Sequence, residues 1–227
     1  MLLKRSESID AAARALAEEI CAALRDALRA RGMASLLVPG GRTPVPLFRL
    51  LRRCDLQWRD IVIGLTDERW VPQDQAGSNA RLVRTELLTG AASAARFVPL
   101  HNPASSAMQG AADCWRAMAS IPRPYDAVVL GMGEDGHFAS LFPDSPGIAG
   151  ALDVGAGAGC VPMRATSAPV DRVSLNLAAL ADTRRLFLFI TGGRKLELVE
   201  SAVARAGLPI DALLALRDPQ PVVFWAP

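Results

Sequence analysis

Only two histidines occur in the chain, and one of them, His137, closes the segment Gly131-Met132-Gly133-Glu134-Asp135-Gly136-His137. A histidine beside acids and glycines in a turn can take and return protons near neutral pH. His137 is therefore the candidate general base, set against the plainer role of a structural hydrogen-bonding group. His101, between Leu100 and Asn102, has no such company and reads as structural. The same segment matches the dinucleotide pattern G-x-G-x-x-G, but Glu134 and Asp135 would face a pyrophosphate, and Pro143 cuts short the helix that should hold it. The acid expected about twenty positions further on would be Asp153, among glycine and alanine with no strand before it. Dinucleotide binding is rejected on these grounds. Ser140 lacks the G-x-S-x-G frame of a nucleophile elbow.

Three other segments carry polar chemistry. Gly40, Gly41, Arg42, Thr43 and Pro44 follow an apolar run and open a helical pattern. Backbone N–H groups in such a loop can hold a phosphate, with Arg42 and Thr43 adding donors, although an ordinary strand-to-helix turn has the same composition. Thr66-Asp67-Glu68-Arg69 also follows an apolar run, and Arg69 could meet a substrate phosphate or lock Asp67 and Glu68 in place. Thr191-Gly192-Gly193-Arg194-Lys195 repeats the geometry. Cations at a helix start are disfavoured unless an anion is present, so Lys195 or Arg194 could complete a phosphate site.

The elements that would position these segments follow from hydrophobic spacing. Ile9, Ala12, Ala13, Leu16, Ile20, Leu24, Ala27 and Leu28 recur at helical spacing between Ser8, a plausible N-cap, and Gly32, a stop. Apolar runs at residues 34–38, 61–65, 97–100, 127–130, 186–190 and 222–225 alternate mostly with helical segments, among them 79–88, 104–119 and 194–206. Continuous apolar strands between helices predict an α/β fold: an open, mostly parallel, doubly wound sheet with helices on both faces. Ligands in such folds bind beyond the carboxyl ends of the strands, so the four polar segments should line one crevice. Residues 145–159, rich in Gly, Ala and Pro, read as a mobile loop near that crevice.

Composition narrows the classes. The chain of 227 residues, half of them hydrophobic, has no composition break or repeat and is expected to fold as one domain, 1–227. A net charge of +2, from 25 basic and 23 acidic residues mixed along the chain, offers no basic stripe for nucleic acid. No apolar stretch reaches bilayer length, and Arg, Glu and Asp stand where a signal peptide needs an apolar core, so a cytoplasmic protein away from membranes is expected. The four cysteines, at 21, 54, 114 and 160, have neither zinc nor disulfide-framework spacing and read as small buried hydrophobes in a reducing compartment.

Together, these segments resemble the 6-phosphogluconolactonase family, within the superfamily that includes glucosamine-6-phosphate deaminases. The most specific stretches are residues 66–72 with Ser78-Asn79, residues 130–143, and residues 172–177 leading to 191–195. Two departures are visible: Pro39 stands where the family usually has serine, and Phe138 where a small residue is common. The resemblance implies a deaminase/isomerase-like fold and hydrolysis of 6-phospho-D-glucono-1,5-lactone to 6-phosphogluconate in the pentose phosphate pathway, without metal or organic cofactor. It casts His137 as the base, with Asp135 or Asp67 orienting it or the substrate hydroxyls. Amides near Gly133 and Gly136 would support the oxyanion. Gly40, Gly41, Arg42, Thr43, Arg69, Asn79, Arg172 and Lys195 would bind substrate, chiefly its phosphate. The partner is a phosphorylated sugar lactone, and the chain a monomer or small homo-oligomer. A deaminase is the nearest rival, but in the deaminase pattern a glutamate stands five residues after the histidine, and here that position is Phe142. A non-catalytic sugar-phosphate sensor is the other rival, and it would need a DNA-binding segment that this chain has no room for.

Overall fold

The computed structural model describes residues 1–202 and 207–227. Strand β1 (Leu2–Arg5) leads into the long helix α1 (Ile9–Arg31). Ser8 caps α1 by accepting from the amide of Ala11, and Gly32, at φ 71°, closes it by donating to the Leu28 carbonyl. The buried face runs through Ala12, Ala13, Leu16, Ile20, Leu24 and Ala27, the residues the helical spacing selects. Next come β2 (Ala34–Val38), α2 (Val45–Leu51), β3 (Ile61–Leu65), β4 (Asp67–Arg69), α3 (Asn79–Glu86), β5 (Arg96–Val98) and α4 (Ala107–Met118). The second half holds β6 (Ala127–Leu130), α5 (Ile148–Ala151), β7 (Cys160–Ala165), β8 (Ala168–Leu175), α6 (Leu177–Ala181), β9 (Leu186–Thr191), α7 (Gly193–Ser201), α8 (Pro209–Leu214) and β10 (Val222–Ala226).

Seven strands form the main sheet in the order β1-β10-β9-β6-β2-β3-β5, and every neighbouring pair is parallel. Every residue of β2, β3 and β6 is buried, as a sheet covered on both faces requires. From the central β2–β6 pair the chain builds outward, β3 and β5 to one side and β9, β10 and β1 to the other. The loops leaving β2 and β6 therefore diverge at a topological switch point, where a crevice opens in this class of sheet. At the opposite end of β6, buried Asp126 accepts from the amide and hydroxyl of Ser35 and pairs with Arg31 and Arg184, fixing the bottom of the two central strands.

Several features depart from the sequence reading. A second, three-stranded antiparallel sheet, β4-β8-β7, stands beside the main one. Its strand β4 is three charged residues, which no apolar-run criterion detects. The edge strand β1 was likewise invisible, with Lys4 and Arg5 filling half of it. The apolar run at 97–100 becomes strand only at Arg96–Val98. The expected helix 194–206 is helical over Gly193–Ser201, and its residues 203–206 lie outside the described residues. Residues 145–159, expected to be a mobile loop near the crevice, contain the short helix α5; Asn176 holds their end through the Gly157 carbonyl and the Gly159 amide. Cys21 on α1 and Cys54 beyond α2 form a disulfide, whereas Cys114 and Cys160 are free. Spacing could not suggest that bridge, because it arises from α1 packing on α2. Among the described residues no helix is long and apolar enough to cross a membrane.

Candidate active site

A cavity of about 290 Å³ opens at the switch point, and all four polar segments reach it. The loop after β2 contributes Pro39, Gly40, Gly41, Arg42, Thr43 and Pro44; β4 contributes Asp67 and Arg69, and the start of α3 contributes Asn79. Gly131, Met132, Gly133, His137 and Ala139 come from the turn after β6, Arg172 from β8, and Lys195 from the first turn of α7. Arg194 bonds Glu197 on its own helix instead. His101 stacks on Trp70 outside the cavity.

The turn after β6 presents the histidine through its own hydrogen bonds. The Gly133 amide donates to the His137 carbonyl at 2.9 Å, and the Gly136 amide donates to the Gly133 carbonyl at 3.2 Å. Gly136 takes φ 79°, a left-handed conformation open to glycine, and beside the turn Ala139 is held at φ 48°. Asp135 stands behind His137, its Oδ1 lying 2.6 Å from Nδ1 and also accepting the His137 amide. Against a carboxylate oxygen Nδ1 is the donor, and in the neutral imidazole the lone pair is then on Nε2. The pair also holds the Asp135 carboxyl below its ordinary pKa: burial pushes it up, but the hydrogen bonds and charge of His137 outweigh burial.

The amides of Gly133 and Gly136, the expected oxyanion donors, are bonded within the turn. Gly136 does not reach the cavity at all; a Cβ there would press on Leu208 and Ile210. Of the two aspartates, Asp135 contacts the His137 ring and Asp67 bonds other partners. Its Oδ2 accepts from Ser140 Oγ at 2.5 Å and its Oδ1 from Thr66 Oγ1 at 3.2 Å, so it faces the cavity as a fixed carboxylate.

Behind Asp67 lies a buried polar network that the sequence reading did not single out. Glu68, fully buried, accepts from Ser78 Oγ and from the amides of Arg69, Asn79 and Ala80. Burial nevertheless pushes its carboxyl above the ordinary range, against those four donors. Glu68 thus fixes the N-terminus of α3 against β4 and aims Asn79, whose Nδ2 donates to the Asp67 carbonyl. Gly40 must be glycine for the same reason, since a Cβ there would overlap the Asn79 amide group. Ser174 accepts the Ser140 amide, tying β8 to the histidine turn. The available signal was the Ser78-Asn79 pair, whose serine serves as the α3 N-cap.

The other end of the cavity is cationic. Arg69 and Arg172 are directly opposed across the β4–β8 ladder, and the Nε of each is buried without a hydrogen-bond partner. Arg69 donates to the Gly77 carbonyl at 2.6 Å rather than locking Asp67 or Glu68. Arg172 has a depressed pKa, first through burial and then through the charge of Arg69, with Asp67 and Glu68 opposing. Like charges opposed across strands are destabilising unless an anion sits between them. With Lys195 and the Gly40–Thr43 loop also lining the cavity, these groups can bind a phosphate dianion. No group of three or more His, Cys, Asp or Glu among the described residues could hold a metal ion.

Known proteins carry the same architecture. The model of the family described as glucosamine-6-phosphate isomerases/6-phosphogluconolactonase matches residues 7–224. A 6-phosphogluconolactonase of Pseudomonas aeruginosa is 43% identical over 95% of this chain and 90% of its own length. One from Rhizobium meliloti is 42% identical, with 97% of each chain covered. The crystal structure of a 6-phosphogluconolactonase from Shewanella baltica superposes with a TM-score of 0.94 at 41% identity, covering 100% of this chain and 98% of the other. A match over nearly the whole length, in sequence and in fold, means that this chain belongs to the glucosamine-6-phosphate isomerase/6-phosphogluconolactonase family.

Proposed function

We propose that the chain is a 6-phosphogluconolactonase, hydrolysing 6-phospho-D-glucono-1,5-lactone, with His137 as general base. The observation that supports the mechanism is the Asp135–His137 contact at Nδ1 of a histidine that lines the cavity, which would leave Nε2 to accept a proton. Nε2 takes a proton from water as the water oxygen attacks C1, and the carbonyl oxygen becomes an oxyanion. Collapse of the tetrahedral intermediate breaks the bond between C1 and the ring oxygen, which takes the proton back from Nε2. The product acid then ionises to the carboxylate. Asp135 holds the tautomer and steadies the transient imidazolium. Arg69, Arg172, Lys195 and the Gly40–Thr43 loop hold the phosphate, and their binding energy orients C1 towards the base. Asp67 is placed to accept from substrate hydroxyls. The chain acts as a single domain in the cytoplasm, on a small phosphorylated lactone.

The relatives named 6-phosphogluconolactonase support this substrate over the amino-sugar alternative. So does Phe142, a side chain that cannot exchange a proton at the position of the deaminase glutamate. The test is His137→Ala with freshly made lactone, following acid release above the spontaneous rate. A loss of about a hundredfold to ten-thousandfold is expected, and unchanged turnover would remove the base from the mechanism.

A further inference from the structure

Phe142 lies five residues beyond His137, is 5% exposed and does not line the cavity. Its ring centroid nevertheless lies 4.1 Å from that of the His137 imidazole, with the planes tilted by 30°. The Arg172 guanidinium carbon lies 5.2 Å from the same Phe142 centroid. One aromatic ring therefore touches both the base and a cation of the phosphate end. Each of the two is under-restrained without it. A single bond from Nδ1 to Asp135 anchors one edge of the imidazole but lets the ring pivot about that contact, which would swing Nε2 off the line of attack. Arg172 keeps a buried Nε with no hydrogen-bond partner, so packing and cation–π attraction must hold its guanidinium in place.

We propose that Phe142 is a positioning residue that sets the plane of the His137 ring and the place of the Arg172 guanidinium together. It thereby fixes the separation between proton acceptor and phosphate contact that a 6-phosphorylated lactone must span. This inference rests on the reading of His137 as base. By this route a ring buried outside the cavity acts on both turnover and substrate selection.

The test compares Phe142→Leu and Phe142→Met, which fill the volume without a ring, with Phe142→Tyr, which keeps one. In whichever ring-less variant melts cooperatively, kcat is expected to fall about tenfold, because a small misplacement of a reacting group is costly. KM for the phosphorylated lactone rises severalfold, while for glucono-1,5-lactone without phosphate only kcat falls. Phe142→Tyr is expected to retain most of the activity. A second readout does not depend on activity. The chain has two histidines, so their imidazole signals can be followed individually by NMR, with His101 as internal control. In the ring-less variants the His137 signals should lose their ring-current displacement and its two nitrogens should move towards averaged shifts. A folded ring-less variant with wild-type kcat and KM, or with unmoved His137 signals, overturns the inference. Failure of the underlying reading looks different, since His137→Ala would then remain active.

Discussion

Gly133→Ala offers a test in which the size of the perturbation can be read from the structure. Gly133 has an ordinary backbone conformation, so alanine is allowed there on conformational grounds. A Cβ at that position would lie 2.5 Å from Asp135 Oδ1 and nearer still to Nδ1 and Cε1 of the His137 ring. Comfortable non-bonded contact needs about 3.5 Å, so the imidazole must retreat by about 1 Å. His137 is 27% exposed and can swing towards solvent, so the melting temperature should fall by only a few degrees. Catalysis is less forgiving: a misplacement of about 1 Å is worth about a hundredfold in rate, or about 2.7 kcal/mol of barrier. The assay mixes freshly prepared lactone with protein, follows acid release with a pH indicator and subtracts the uncatalysed rate. Because the methyl group acts through the ring, Gly133→Ala should add nothing in a His137→Ala background. A Gly133→Ala kcat within about threefold of wild type, against the hundredfold expected, or an equal loss in both backgrounds, would refute the reasoning.

Two further outcomes are expected. Arg69→Ala removes a charged donor to phosphate and should raise KM for the phosphorylated lactone about tenfold to a hundredfold. Glucono-1,5-lactone should be hydrolysed as before, and equal losses on both substrates would place Arg69 elsewhere in the mechanism. Denatured without reductant, the protein should present two thiols, Cys114 and Cys160, to a thiol reagent. Four would mean that Cys21 and Cys54 are not joined. Reducing that bridge, which closes a 33-residue separation, should cost about 4 kcal/mol on a chain-entropy estimate and lower the melting temperature.

The main sheet was legible because β2, β3, β6 and β9 are continuous apolar runs whose burial leaves little choice of partner geometry. The cavity followed from them, since the strand-end rule collected Gly40, Asp67, His137 and Lys195 from four distant segments. What stayed hidden depends on tertiary placement. The β4–β8 pairing opposes Arg69 and Arg172, 103 positions apart, through a strand of three charged residues and one whose first half is partly exposed and mixed in character. Glycines in the histidine turn suggested free backbone donors, but the hydrogen bonds that consume the Gly133 and Gly136 amides exist only once the turn has closed. Likewise Glu68 looked like one half of an acidic pair, and only the return of α3 brings Ser78, Asn79 and Ala80 to saturate it.

The opposed arginines also bear on how long the protein lasts. Without an anion, the pair works against the folded state, and its relief by a phosphorylated ligand is available to the native chain alone. A ligand at a hundred times its dissociation constant deepens the folded well by about 2.7 kcal/mol. If these arginines bind the substrate phosphate as proposed, the same contacts tie stability to ligand concentration. When phosphorylated sugar acids are plentiful the folded population is protected, and when they are scarce local opening around β4 and β8 becomes easier for proteases to exploit. Inorganic phosphate or sulfate should mimic this protection by occupying the same cations, and in doing so should compete with the substrate.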